Sequence, residues 1–204
     1  MLALRHGDGN RIMRIGVLAL QGAFREHCDV LGSLGVEAVE VRLPKDLAGL
    51  DGLIIPGGES TTIGKLAQWY GLLEALRSFS QSAAVWGTCC GMVFMAGNVG
   101  MEQPLLGIMD VTVQRNAFGR QVDSFEEDLS ISGIEGGPFH GIFIRAPVIT
   151  DVGPKVDVMC RLGDGRIVAV RQGRFMATSF HPELANDDRL HKYFLKLVEY
   201  AHDQ

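Results

Sequence analysis

Ala83-Ala84-Val85-Trp86-Gly87-Thr88-Cys89-Cys90-Gly91-Met92 passes from a short apolar run through a glycine-flanked cysteine into a second apolar run, Val93-Phe94-Met95-Ala96. That order predicts a buried strand, a sharp turn and a helix. Glycines two residues either side of Cys89 make G-x-C-x-G, the thiol counterpart of a serine nucleophile elbow. A turn tight enough to lift a side chain out of a sheet crowds its flanks, so hydrogen is the tolerated side chain there. The helix that starts at the turn directs free N–H groups and a positive dipole end toward the sulfur, which favours thiolate over thiol. A buried strand end with two inert cysteines has the same local pattern, and the rest of the chain must separate the two readings.

Working outward, Arg14-Ile15-Gly16-Val17-Leu18-Ala19-Leu20 is almost continuously apolar, as a central parallel strand should be. Gln21-Gly22 turns the chain, and residues 23–34 follow a helical period through Phe24, Cys28, Leu31 and Leu34 until Gly35 stops it. Residues 36–42 alternate as a second strand. Gly52-Leu53-Ile54-Ile55 is a third, ending in Pro56-Gly57-Gly58-Glu59-Ser60-Thr61-Thr62, and a helix is predicted over 63–79. Strand, helix, strand, strand, helix, strand predicts a three-layer α/β/α fold on a mostly parallel sheet. Beyond about Gly100 the texture changes to short alternating segments at 110–114, 129–132, 141–145, 156–160, 166–170 and 174–180. These read as antiparallel additions in the C-terminal half, with Leu162-Gly163-Asp164-Gly165 as a hairpin signal. An amphipathic helix over 187–202 closes the chain, with Leu190, Tyr193, Phe194, Leu197 and Ala201 on its core-facing stripe. One domain is expected over 13–204, behind a leader at 1–12 that lacks the apolar core of a signal peptide and is expected to be disordered.

With 204 residues, 47% hydrophobic and 21% charged, the chain is long enough for one well-buried core. A net charge of −5 argues against nucleic-acid or anionic-membrane surfaces. No apolar run approaches the ~18 residues of a membrane span. Four cysteines without framework spacing point to a reducing compartment, the cytoplasm. No metal-ligand spacing is present. Gly58 and Gly64-Lys65 stand one residue too far apart for a phosphate-binding P-loop, and Leu66 replaces its hydroxyl.

A thiolate nucleophile needs a general base and a group to hold that base. Of six histidines, His6 lies in the leader, His27 on the first helix and His140 in a loop, while His191 and His202 are assigned to the polar side of the last helix. His181 follows the predicted strand at 174–180, in His181-Pro182-Glu183. Extended geometry at the residue before proline would put 181 and 183 on one side. A carboxylate there orients an imidazole as the third member of a triad does. Cys89, His181 and Glu183 are therefore the candidate triad. Gly57 and Gly58, with the amide of Cys90, are candidate oxyanion donors at the carboxyl end of a parallel strand. Arg115 and Arg145 stand at strand ends, where a charged substrate would make use of them.

Together these pieces resemble the class I glutamine amidotransferases. Leu20-Gln21-Gly22-Ala23, Pro56-Gly57-Gly58-Glu59-Ser60-Thr61-Thr62, Gly87-Thr88-Cys89, Arg115-Asn116-Ala117-Phe118-Gly119-Arg120-Gln121, Asp123-Ser124-Phe125-Glu126, Phe143-Ile144-Arg145-Ala146-Pro147 and His181-Pro182-Glu183-Leu184 are similar to the glutaminase subunits of pyridoxal 5′-phosphate synthases within that class. The resemblance implies hydrolysis of L-glutamine to glutamate and ammonia, and delivery of the ammonia to a separate (β/α)₈-barrel synthase subunit. It implies that Gly58, Glu59, Ser60, Arg115, Ile144 and Arg145 hold glutamine and that Gln21 lies at the oxyanion loop and the subunit contact. No cofactor is expected. Cys90 departs from the alanine usual in the family, and only its amide is assigned a role. The rival expectations are a glutaminase serving another acceptor, such as a histidine-pathway synthase, and a non-catalytic redox or stress protein of related fold.

Overall fold

The computed structural model describes residues 11–115 and 124–202. β1 (Arg14–Leu18), α1 (Phe24–Ser33), β2 (Glu37–Val41) and β3 (Gly52–Ile55) come first. Next are α2 (Ser60–Trp69), α3 (Leu72–Ser80), β4 (Ala84–Thr88) and the short α4 (Cys90–Met95). The second half holds β5 (Ala96–Asn98), β6 (Met109–Gln114), β7 (Ser124–Leu129), β8 (Phe139–Ile144) and β9 (Val148–Val152). β10 (Asp157–Arg161), β11 (Ile167–Gln172), β12 (Phe175–Thr178) and α5 (Arg189–His202) complete it. The main sheet has the order β2-β1-β3-β4-β12-β11-β9-β6-β5, with β10 on β11, while β7 and β8 form a separate hairpin. From β2 to β12 every neighbour is parallel. β11, β10, β9 and β6 are joined antiparallel. This is the α/β class expected, a parallel sheet with antiparallel additions.

Alternation along the strands builds two cores. Ile54 and Trp86 face one side, with Leu31 of α1 and Leu190 and Phe194 of α5. Leu53, Ile55 and Val85 face the other, with Ile63 of α2, Leu76 of α3 and Phe94 of α4. Side chains on successive strand residues point to opposite faces, so a run such as Leu53-Ile54-Ile55 is apolar throughout because both faces are covered.

Several elements differ from expectation. The helix predicted over 63–79 is two helices, because Gly71 takes a φ of 68° between them. α2 starts earlier, at Ser60, because the Glu59 carboxylate accepts from the N–H groups of Thr61 and Thr62 and caps it. The strand expected at 129–132 runs instead over Ser124–Leu129, and β5 and β9 were not expected at all. Of the leader expected at 1–12, residues 1–10 lie outside the described residues, and the Arg11 guanidinium pairs with the Asp51 carboxylate.

Candidate active site

Three adjacent strands deliver the candidate residues to one edge of the sheet. β3 pairs with β4 so that Ile55 stands beside Gly87, and β4 pairs with β12 so that Thr88 stands beside Thr178. All three run in the same direction, so the chain leaves them side by side as the Gly57-Gly58 loop, Cys89 and the segment ending in His181. The Cys89 N–H donates to the Thr178 carbonyl at 2.7 Å, and the His181 N–H to the Ile142 carbonyl of β8 at 2.8 Å. Ligands in open α/β sheets bind at this carboxyl edge.

The turn at Cys89 has the geometry anticipated from its flanking glycines. A Cβ on Gly91 would lie 1.9 Å from the Ile55 carbonyl oxygen. Cys89 itself has φ 49° and Arg145 has φ 43°, the two non-glycine residues with positive φ among the described residues. Both line the same cleft, of about 420 Å³, together with Gln21, Gly57, Gly58, Glu59, Cys90, Arg115, Ile144 and His181. Backbone strain held at two points of one cleft marks a site where position matters more than local comfort.

His181 and Glu183 are paired, though not as an extended segment. Residues Pro182–Leu184 form a 3₁₀ turn, which folds the carboxylate back so that Oε1 accepts from His181 Nδ1 at 2.7 Å. A carboxylate only accepts, so the imidazole proton sits on Nδ1 and Nε2 is the free basic nitrogen. The ring's Cε1 and the Cys89 Cβ flank Gly57, at 2.6 and 3.1 Å from where a side chain there would begin. Only glycine leaves room between the Cys89 and His181 side chains.

The two adjacent thiols differ in their surroundings. Cys89 is buried, and the hydrogen bond it makes to Cys90, its burial and the charge of Glu183 push its thiol well up. Cys90 is pulled down to about 6 by the same sulfur–sulfur contact and, against its burial, by backbone hydrogen bonds from Gly58 and Ser60 and the charge of Arg115. Of the backbone donors expected to acidify Cys89, the Cys90 N–H reaches it, while those of Gly58 and Ser60 reach its neighbour. The Gly58 and Ser60 donors and the field of Arg115 favour the thiolate form at Cys90 over Cys89.

Around the cleft, the Arg115 guanidinium donates to Glu59 Oε1 at 2.9 Å and to Thr61 Oγ1 at 3.1 Å. Burial raises the Glu59 carboxyl, but the hydrogen bonds from Thr62 and Thr61 outweigh it and hold the group down to about 2. Gln21 Oε1 accepts from the Glu59 N–H at 2.6 Å, and the Gly57 carbonyl accepts from the Ala23 N–H at 3.2 Å. Ser60 is fully buried, its Oγ has no hydrogen-bond partner among the described residues, and it is not among the residues that line the cleft. The rest of the 115–121 motif lies outside the described residues.

Sequence reasoning did not single out Gln103, whose Oε1 accepts from Thr61 Oγ1 at 3.2 Å behind Arg115. It also passed over His27, and it misplaced His191. His191 is not on a polar face but fully buried, next to His27. Its spacing to Phe194, Leu195 and Val198, all buried, was the signal in the sequence. Among the described residues no group of three or more His, Cys, Asp or Glu side chains could hold a metal ion, and no helix is long and apolar enough to cross a membrane.

Residues 17–200 match the model of the SNO glutamine amidotransferase family. The chain belongs to that family. A Thermus thermophilus protein named pyridoxal 5′-phosphate synthase subunit PdxT is 58% identical over 188 residues, covering 90% of this chain and 97% of the relative. One of the same name from Moorella thermoacetica is 55% identical, covering 91% of this chain and all of the relative. A crystal structure of a glutamine amidotransferase, 55% identical, superimposes with a TM-score of 0.86 over 90% of this chain and 98% of its own. A structure of PurLQS from Thermotoga maritima, at 18% identity and a TM-score of 0.62 over 93% of this chain and 96% of its own, shares the fold alone.

Proposed function

We propose that this glutamine amidotransferase hydrolyses L-glutamine to L-glutamate and ammonia as the glutaminase subunit of a pyridoxal 5′-phosphate synthase, with Cys89 as nucleophile, His181 as acid and base, and Glu183 orienting His181. The observation that carries the reading is the side-by-side emergence of the Gly57-Gly58 loop, Cys89 and His181 from three neighbouring parallel strands, at a cleft with Glu59 and Arg115 on its wall.

Burial and the Cys90 contact favour the thiol form of Cys89. In this reading His181 Nε2 takes that proton as the sulfur adds to the carboxamide carbon. His181 then gives that proton to the nitrogen as the C–N bond breaks, and ammonia leaves. Water adds to the thioester, its proton passing to His181. Glutamate departs and the Cys89 thiol is restored, so one water is consumed for each glutamine. Gly57, Gly58 and the Cys90 amide are the oxyanion donors in this reading. The Gly58 N–H is engaged with the Cys90 sulfur at rest, and that bond must yield for it to serve. Glu59 suits the substrate's α-ammonium and Arg115 its α-carboxylate, with the Gly58 and Ser60 backbone, Ile144 and Arg145 completing the grip. Gln21, at the rim of the loop, is the candidate contact to the partner, a (β/α)₈-barrel subunit that consumes the ammonia.

The test is ammonia release from glutamine, with and without a pyridoxal 5′-phosphate synthase subunit. We expect release that rises when the synthase is added and disappears in Cys89→Ala. No release in the mixture, or an undiminished Cys89→Ala rate, would sink the proposal.

A further inference from the structure

Behind the candidate triad lies a buried polar chain. His27 of α1 and His191 of α5 are both fully buried, and His27 Nδ1 lies 3.0 Å from His191 Nε2. On its other side, His27 Nε2 is 3.3 Å from Thr88 Oγ1 and 3.3 Å from Glu183 Oε2. Trp86 stacks edge-on to both rings, with centroids 5.8 Å from His27 and 5.0 Å from His191. Water and bulk charge are kept away from these contacts.

The protons in this chain can be placed. His191 Nδ1 is buried with no partner among the described residues. An orphaned lone pair is tolerated better than an orphaned N–H, so the His191 proton belongs on Nε2, where it donates to His27 Nδ1. His27 must then carry its own proton on Nε2, facing Thr88 and Glu183. Both rings are neutral: burial, then the neighbouring His191 and His181, hold His27 far below the ordinary histidine range, and burial brings His191 down to about 4. Glu183 thereby meets an imidazole on each oxygen, His181 on Oε1 and His27 on Oε2. The second contact is long and imperfectly aligned, and Oε2 has no aligned donor at rest. Hydrogen bonds of catalytic groups often tighten only when substrate is bound.

We infer that His27 is a positioning residue: its Nε2–H, 3.3 Å from Glu183 Oε2 at rest, closes onto that oxygen when substrate binds, fixes the carboxylate from behind and, through it, aims His181 at Cys89. A carboxylate held by one donor alone can rotate about its own axis and carry the imidazole with it. Two donors on opposite oxygens define its plane. The inference rests on the glutaminase reading above and extends the set of residues that support it.

The test uses His27→Gln and His27→Asn in the complex with the synthase subunit. Glutamine places an amide donor near the Nε2 position, toward Glu183, whereas asparagine reaches only the Nδ1 position, where its carbonyl oxygen can accept from His191 and no donor faces Glu183. We expect His27→Gln to keep kcat within about threefold of the parent and His27→Asn to lose about tenfold or more, with KM unchanged in both. Glutamine affinity, measured by calorimetry on each variant combined with Cys89→Ala, should stay the same. A parent complex that releases no ammonia defeats the glutaminase reading. An active parent whose His27→Asn variant turns over as fast as His27→Gln overturns this inference alone, as does failure of both variants to fold, which would make His27 a packing residue.

Discussion

At the residue scale, the pair Cys89-Cys90 separates two properties that usually coincide, nucleophilic position and thiolate charge. Cys89 stands at the strained turn against His181, while Cys90 receives the backbone donors and the field of Arg115. The groups that favour thiolate therefore gather on the sulfur next to the proposed nucleophile. We expect iodoacetamide at pH 7 to label Cys90 before Cys89 in the free protein, with the labelling rate half-maximal near pH 6. Peptide mapping by mass spectrometry reads the order, and exclusive labelling of Cys89 would refute it. In Cys90→Ala the sulfur–sulfur contact and the neighbouring charge that push Cys89 up both vanish. Turnover should then persist within about threefold, while Cys89 becomes alkylated at lower pH than in the parent. The opposite result, lost turnover with Cys90→Ala and retained turnover with Cys89→Ala, would move the nucleophile by one residue.

At the element scale, the elbow works because β4, α4 and β3 approach to backbone contact. Gly91→Ala puts a methyl carbon 1.9 Å from the Ile55 carbonyl, and no rotamer can relieve a clash that involves only main chain and Cβ. We expect the substitution to destabilise by about 3 kcal/mol or more, seen as a large drop in the denaturant midpoint. Stability within about 1 kcal/mol of the parent would show that α4 can move off the sheet. This contact was legible in the sequence, because a glycine two residues after Cys89 is what a strand-to-helix turn demands. The parallel strands were legible for a related reason: runs such as Leu53-Ile54-Ile55 are buried on both faces and so lack alternation. The features that escaped were set by tertiary contact. Glu59 starts α2 ahead of its apolar period, and Gly71 divides a helix whose apolar residues continue across the break. The His181–Glu183 pair was readable from spacing and sequence order, but the 3₁₀ turn that makes it was not, since Pro182 suits the first position of a helical turn as well as an extended segment. His27 and His191 were hidden because histidine reads as polar, although each falls in register with buried neighbours on its helix.

At the scale of the whole molecule, the core between the sheet and the α1/α5 layer contains two histidines that must stay neutral, and this couples folding to pH. In the unfolded chain a histidine titrates near 6.5, whereas folded His191 does so at about 4 and folded His27 lower than normal as well. Below pH 6.5 the unfolded state binds more protons than the native one, so stability is intact above that pH and falls as the pH drops toward 4. For His191 alone the loss at pH 5 is about 2 kcal/mol, equivalent to roughly 4–8 °C in a chain of this size. His140 works with the opposite sign. Its hydrogen bonds to Asp128 and Glu126 raise its folded value, so it stabilises as the pH falls, but it is exposed and its contribution is screened by salt. Melting curves between pH 7 and pH 5 should therefore show a falling midpoint that steepens in high salt, where the opposing His140 effect is removed and the buried pair is not. His191→Gln retains a donor toward His27 without a titrating ring, and it should flatten the fall while leaving the midpoint at pH 7 within a few degrees. An equally steep fall in His191→Gln would assign the acid sensitivity to other groups and detach it from the histidines beneath the candidate site.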